Sequence, residues 1–318
     1  MNLKKMFEMQ KRFSDLFFTI DKLDEISKEE ITKSLALELH SEVSELISAI
    51  NFKDHRRSRT QIDQEKILYE SIDVFRYLLA ILNLWDISCD QFVSAFEDKD
   101  LFLHARYDIE ETTWEGQPVL IFDLDDVICE FRSSFIGWLN EKYNVNANVN
   151  SSEYYTTAEL AEAGLNPEGV FENFIVERRL RLIEPDQKII DMVNGLYESG
   201  FWIHILTAKP DSSLVCKYDT FRWLSQSGLK FHRIDFSPEK YRWLTKSEYY
   251  NHGKIVCAID DSAKHCAEYA KHGIKVCAPI KTYNREIRNV KNIHMYKNDK
   301  ELLDCIKKLS DSMYTKDT

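Results

Sequence analysis

The 318-residue chain is poor in the residues that break regular structure, with only nine glycines and six prolines. That scarcity argues against an irregular, loop-dominated fold and for long helices. Its seven cysteines are odd in number and widely spaced, and no C-x-x-C pair occurs. This excludes the usual patterns of a disulfide framework and of a structural zinc site, and fits reduced thiols. No apolar run approaches the roughly 20 residues of a membrane span. The opening MNLKKMFEMQKRF carries charge throughout, without the apolar stretch of a signal peptide, so a cytoplasmic protein is expected. A formal net charge of −11 leaves no general basic surface for nucleic acid, which makes nucleic acid an unexpected partner. A small anion held by a metal and a few local cations remains compatible with it.

What is present divides the chain in two. Through residue 108 the periodicity is helical: Leu39, Val43, Leu46 and Ile50 form one apolar stripe, and Leu68, Ile72, Phe75, Leu79 and Leu82 another. After a linker at residues 109–117, short apolar runs alternate with helical segments: VLIFDL, FWIHILTA, FHRIDF, KIVCAID and GIKVCAP. That alternation predicts a parallel sheet built from strand–helix units. The polar, helix-rich stretch of about 140–185 interrupts the first crossover and predicts a small cap. The expected fold is therefore an all-α bundle (1–108) followed by a Rossmann-like α/β domain (118–318).

Two constellations carry chemistry. In the helical half, Glu42 and Glu45, and Glu70 and Asp73, are i, i+3 pairs, each placing two carboxylates on one helical face. Both members of the second pair lie 28 residues beyond their counterparts in the first. Packed antiparallel, the two helices bring four acids to a common point suited to Mg²⁺, which takes oxygen ligands. Lys99 and Arg106 stand two helical turns apart and could bind phosphate oxygens. In the second half, VLIFDLDDV ends an apolar strand in Asp123, Asp125 and Asp126. An aspartate can attack phosphorus when a cation relieves the repulsion, while a second acid protonates the leaving group. Further strands end in Thr207, a phosphate donor, and in Asp260 and Asp261, which could complete a Mg²⁺ site. Lys240 opens a helix after a strand and could neutralise phosphate and nucleophile together. Lys246, nearer Asp260 in sequence, competes for that role.

With the opening LKKMFEMQKRF, the E-x-x-E…E-x-x-D pattern and the Lys99/Arg106 helix resemble the dimeric all-α dUTPases, within the wider MazG-like nucleoside-triphosphate pyrophosphohydrolases. The resemblance implies Mg²⁺-dependent conversion of a dNTP, of pyrimidine (dUTP- or dCTP-like) type, to dNMP and pyrophosphate. It also implies metal ligation by Glu42, Glu45, Glu70 and Asp73, a phosphate grip by Lys99 and Arg106, and assembly as a homodimer or higher homo-oligomer. Asp100 and Leu103 stand where that family usually carries Asn. The ordered set Asp123-x-Asp125, Thr207, Lys240 and Asp260-Asp261 resembles the haloacid-dehalogenase-like (HAD-like) phosphatases. FDLDDVICEFRSSFIGWLNEKYN, HILTAKP and KTYNRE are similar to the 5′-deoxynucleotidases among them. This second resemblance implies a nucleophile Asp123, a general acid/base Asp125, phosphate contacts from Thr207 and Lys240, and Mg²⁺ held by Asp123, Asp125, Asp260 and Asp261. Together the two predict a bifunctional hydrolase acting on small-molecule nucleotides. The alternatives are a nucleotide-sensing helical domain that regulates the phosphatase, and a polynucleotide end phosphatase.

Overall fold

In a computed structural model, the protein is described over residues 2–50, 62–154 and 157–314. The chain divides into two compact units, Met1–Glu97 and Asp98–Thr318. The division falls inside a helix, ten residues and more before the linker expected from sequence, and residues 109–111 of that expected linker are helical.

The first unit is helical. Helices α1 (Leu3–Ser14), α2 (Glu25–Ser48) and α3 (Gln64–Leu84) precede the start of α4 (Cys89–Glu111). Each of the first three begins at an Asn or Asp whose side chain accepts from backbone N–H groups of the first turn: Asn2, Asp24 and Asp63. Such caps satisfy donors that a helix start would otherwise leave open. Helix α3 packs against both α1 and α2. Arg76 Nε donates to Gln10 Oε1 at 3.0 Å, and Asn83 Nδ2 to the Phe7 carbonyl at 3.1 Å. The apolar stripes predicted for α2 and α3 are only partly covered. Leu79 is buried, but Leu68 is 57% exposed, and Val43, Ile50 and Ile72 are also exposed. None of the residues of α2 is fully buried. The periodicity is real, yet a few helices offer too little facing surface to cover it.

The second unit is a doubly wound parallel sheet. Its strands are β1 (Val119–Phe122), β2 (Trp202–Thr207), β3 (Arg233–Phe236), β4 (Ile255–Ile259), β5 (Val276–Pro279) and β6 (Ile293–Tyr296). They lie in the order β3-β2-β1-β4-β5-β6, and every pairing is parallel. The five runs expected to be strands are β1–β5. The sixth, IHMY, was not anticipated; it is a short edge strand with an exposed His294. Successive residues of β1 serve opposite faces. Leu120 and Phe122 enter one core with α5 (Phe131–Tyr143), α8 (Gln187–Glu198), α9 (Leu214–Ser227) and α12 (Asp299–Tyr314). Val119 and Ile121 enter the other with α10 (Lys240–Lys246) and α11 (Ala263–Lys271). Burial on both faces explains why β1 reads as an unbroken apolar run. The cap comprises α6 (Thr157–Glu162), α7 (Pro167–Val176) and a 3-10 turn at Arg179–Leu182.

A buried charge cluster ties the cap and α9 to α4 at Asp98. The Asp98 carboxylate, with no exposed surface, accepts from Arg178 (2.6 Å), Arg181 (2.7 Å) and Arg222 (2.8 Å). Asp219 shares Arg178 and Arg181. Burial alone would raise the Asp98 pKa, but the three guanidinium groups outweigh it and hold it below its usual 3.8. Removing one partner from a buried ionic network costs about 3–5 kcal/mol, because the remaining charges stay uncompensated. Asp98→Ala should therefore lower the stability of the second unit by about 3 kcal/mol in urea denaturation. In the unmodified protein the contribution of Asp98 is intact above the unfolded pKa near 3.8 and falls away as pH drops through the lower folded value. An Asp98→Ala protein that unfolds at the same urea concentration as the parent would refute the assignment.

Candidate active sites

In the parallel sheet the chain reverses its winding between β1 and β4, and the crevice outside the strand ends at such a point is where ligands bind in this architecture. Asp123 follows β1 there, and Asp260 and Asp261 follow β4. Oxygens of these three buried carboxylates lie within 4.8 Å of one another. Lys240, fully buried at the start of α10, places its Nζ 2.8 Å from Asp123 Oδ1 and 2.7 Å from Asp260 Oδ2. Burial would lower the Lys240 pKa; the two carboxylates more than reverse that, so the ammonium stays charged. Lys246, at the far end of the same short helix, is exposed. Burial raises the Asp260 pKa to about 6 even with Lys240 alongside, and raises that of Asp261 further.

Asp125 is placed differently from the other acids. It lines the cavity but stands outside the group of three, its Oδ1 held by the buried Lys209. Burial would lower the Lys209 pKa, and Asp125 instead holds it above the usual lysine value. Thr207, the last residue of β2, is fully buried, and its Oγ1 accepts from the Lys209 N–H at 3.4 Å. Asp126 stands outside the group of three and adopts the left-handed conformation (φ 55°), which Asp tolerates better than most residues. Its carboxylate accepts from the Arg132 N–H and the Tyr154 hydroxyl. The cavity, about 340 Å³, is walled by Phe131, Tyr154, Phe171 and Tyr283 beside Asp123 and Asp261. Phe171 comes from the cap.

Sequence reasoning passed over several of these residues. Lys209 sits inside the quoted TAKP, and its signal was a lysine directly after an apolar strand. Tyr283 lies inside KTYNRE. Nothing in the local pattern singles out Arg132 or Tyr154.

The helical acids form a second group. Oxygens of Glu42, Glu45 and Glu70 lie within 4.8 Å of one another. Asp73 is outside that trio but near enough to act on Glu42, whose pKa is raised by partial burial and then by Glu45, Asp73, Glu70 and Glu38. Glu42 and Asp73 share a cavity of about 550 Å³ with Phe13, Phe17, Phe18, Arg76 and Tyr77. Lys99 and Arg106, expected to grip phosphate, belong to the second unit. There Lys99 Nζ lies 5.7 Å from the Tyr218 ring centre, and Arg106 pairs with Glu110 at 3.1 Å.

Both groups fit a hard divalent cation by donor chemistry. Each is made of carboxylate oxygens alone, and each contains an acid whose proton affinity is raised by burial and then by the neighbouring acids. Among the described residues no helix is long and apolar enough to cross a membrane.

No curated protein matches the chain. Among solved structures, a Clostridium acetobutylicum protein described as a predicted phosphatase is 13% identical, with a TM-score of 0.45, over 61% of this chain and 100% of its own. A Bacillus subtilis protein, YfnB, assigned as a HAD-hydrolase and solved bound to magnesium, is 16% identical, with a TM-score of 0.43, over 61% and 100%. A family model described as dUTPase matches residues 2–160, running through the helical unit and past β1. By that match, and by the paired acids it encompasses, the chain belongs to the dUTPase family.

Proposed function

We propose that the protein is a bifunctional Mg²⁺-dependent nucleotide hydrolase that works in two successive steps. The helical unit (residues 1–108 by the sequence reading) converts a pyrimidine dNTP to dNMP and pyrophosphate. The α/β unit then converts dNMP to deoxynucleoside and phosphate. The observation that carries this reading is that the described residues hold two separate groups of three carboxylates, each within 4.8 Å. One sits on facing helices of a dUTPase family member, the other at the switch point of a doubly wound sheet.

In the α/β unit, Asp123, Asp260 and Asp261 would hold Mg²⁺, which would supply the positive charge that lets an anionic nucleophile approach an anionic phosphate. The chain's own groups do the rest. Asp123 attacks phosphorus, forming an aspartyl-phosphate as the bond to the 5′ oxygen breaks. Lys240, bonded to Asp123, keeps that carboxylate oriented and offsets charge. Asp125 gives a proton to the departing 5′ oxygen, then takes one from the water that opens the acyl-phosphate. Lys209 fixes the Asp125 carboxylate meanwhile. Phe131, Tyr154 and Phe171 form an aromatic wall of suitable size for a nucleobase. In the helical unit, Glu42, Glu45, Glu70 and Asp73 would hold Mg²⁺, beside the cavity lined by Phe13, Phe17 and Tyr77.

The exposed apolar residues of the helical unit, Leu37, Leu68 and Ile72 among them, support assembly through that unit. Sedimentation at micromolar concentration should give a dimer or larger species; a fully active monomer would count against this. Glu45→Gln or Asp73→Asn should abolish pyrophosphate release from a dNTP and leave hydrolysis of a supplied dNMP intact; normal release by both variants would remove the metal assignment. Asp123→Asn keeps the shape of the side chain but is a far weaker nucleophile. Given a preferred dNTP, that variant should stop at dNMP, with deoxynucleoside formation slowed by roughly 10³-fold or more, as chromatography with Mg²⁺ would read. Deoxynucleoside appearing at the parental rate would overturn the sequential reading.

A further inference from the structure

The loop after β5 grips Asp261 twice. The Tyr283 hydroxyl donates to Asp261 Oδ2 at 2.6 Å. The next residue, the fully buried Asn284, donates from Nδ2 to the Asp261 carbonyl at 2.9 Å and to the Pro279 carbonyl at the same distance. The same loop is fastened to the entry of the cap. Thr282 donates to the Ser151 carbonyl at 2.8 Å, and Arg132 donates to the Ser151 and Glu153 carbonyls at 3.0 and 2.6 Å.

Arg132 explains why Tyr283 can hold one position. It is 3% exposed, and its Nε and Nη1 have no hydrogen-bond partner. Leaving two guanidinium nitrogens unbonded inside a protein is costly. The compensation is aromatic: the guanidinium lies 4.8 Å from the Tyr283 ring centre and 5.8 Å from that of Tyr154. Those two rings meet edge to face at 4.9 Å. The result is a ring fixed on one side by a buried cation and on another by a neighbouring ring, with its hydroxyl on a carboxylate of the buried acid group.

We infer that Tyr283 is a positioning residue for Asp261: its hydroxyl, held in place by Arg132 and Tyr154, sets the rotamer in which that carboxylate meets a divalent cation. This inference rests on the proposed function of the α/β unit. Groups that orient a metal's ligands typically carry 10- to 100-fold in metal affinity or activity when removed. Tyr154 supplies the control, since its hydroxyl donates to Asp126, which is outside the group of three acids.

The test uses the full-length chain carrying Glu42→Gln, Glu45→Gln, Glu70→Gln and Asp73→Asn, which removes the helical acids as a competing site. Free Mn²⁺ is followed by electron paramagnetic resonance during titration. Adding Tyr283→Phe should weaken Mn²⁺ binding about tenfold or more. Adding Tyr154→Phe should change it by less than about twofold, because that hydroxyl serves no proposed ligand. Saturating Mn²⁺ should return the kcat of the Tyr283→Phe protein for dNMP towards that of the parent. Equal Mn²⁺ affinity in the Tyr283→Phe and parent proteins overturns the positioning role. An equal loss in the Tyr154→Phe protein does so too, since it marks a general disturbance of the loop. A parent chain that binds no Mn²⁺ overturns the proposed phosphatase reading itself, and the inference with it.

Discussion

A single ammonium group bonded to two carboxylates makes the α/β unit possible in this form. Asp123, Asp260 and Asp261 are all buried at the mouth of one crevice, where the loss of water and the neighbouring acids raise the pKa values of Asp260 and Asp261. Lys240 reaches two of them from a short helix after β3 and has no exposed surface of its own. Each buried charge is tolerable because the other is there. Lys209 repeats the arrangement on a smaller scale with Asp125. Asp126 is handled without a lysine bond, by a backbone N–H and a tyrosine hydroxyl. Carboxylates outnumber the ammonium groups bonded to them here, and a cation in the crevice would relieve the repulsion that remains.

The helical unit meets the same electrostatic difficulty by another route. Its acids lie on helix faces that are only partly buried, so solvent moderates their repulsion and no buried lysine is needed. Partial burial of Glu42 together with four neighbouring acids still raises its proton affinity. The two units therefore offer carboxylate groups of contrasting character: one enclosed and pre-compensated, the other open and dependent on whatever it binds.

Much of this was legible in the sequence, for reasons that differ by element. Strands β1, β2, β4 and β5 are buried on both faces and so appear as largely apolar runs, and the acids that follow β1 and β4 stand out sharply against them. Strand β6 escaped notice because it has four residues and lies at the sheet edge, where His294 faces outward. The paired acids of α2 and α3 were visible through the helical period alone. The same period, however, says which residues share a face and not whether anything covers it, and Leu68 and Ile72 are exposed. Lys240 was readable as a lysine opening a helix after a strand; only the fold separates it from Lys246. Lys209, Arg132 and Tyr283 owe their roles to contacts between loops far apart in the chain, such as the 84 residues between Asp125 and Lys209, and no local pattern encodes those.

The position of Asp98 bears on how such a chain can be taken apart. The apparent seam in the sequence is the stretch around Trp114 and Gly116, and a gene cut there would look like a clean separation of two proteins. The excised α/β portion would then keep Arg178, Arg181 and Arg222 but lose one of the two carboxylates that neutralise them. An α/β module transplanted at that seam would carry three guanidinium groups beneath its cap with Asp219 as the remaining carboxylate of the cluster. Genetic shuffling at the visible boundary is thus penalised by a residue upstream of it, and the fusion is harder to undo than its two-part sequence suggests.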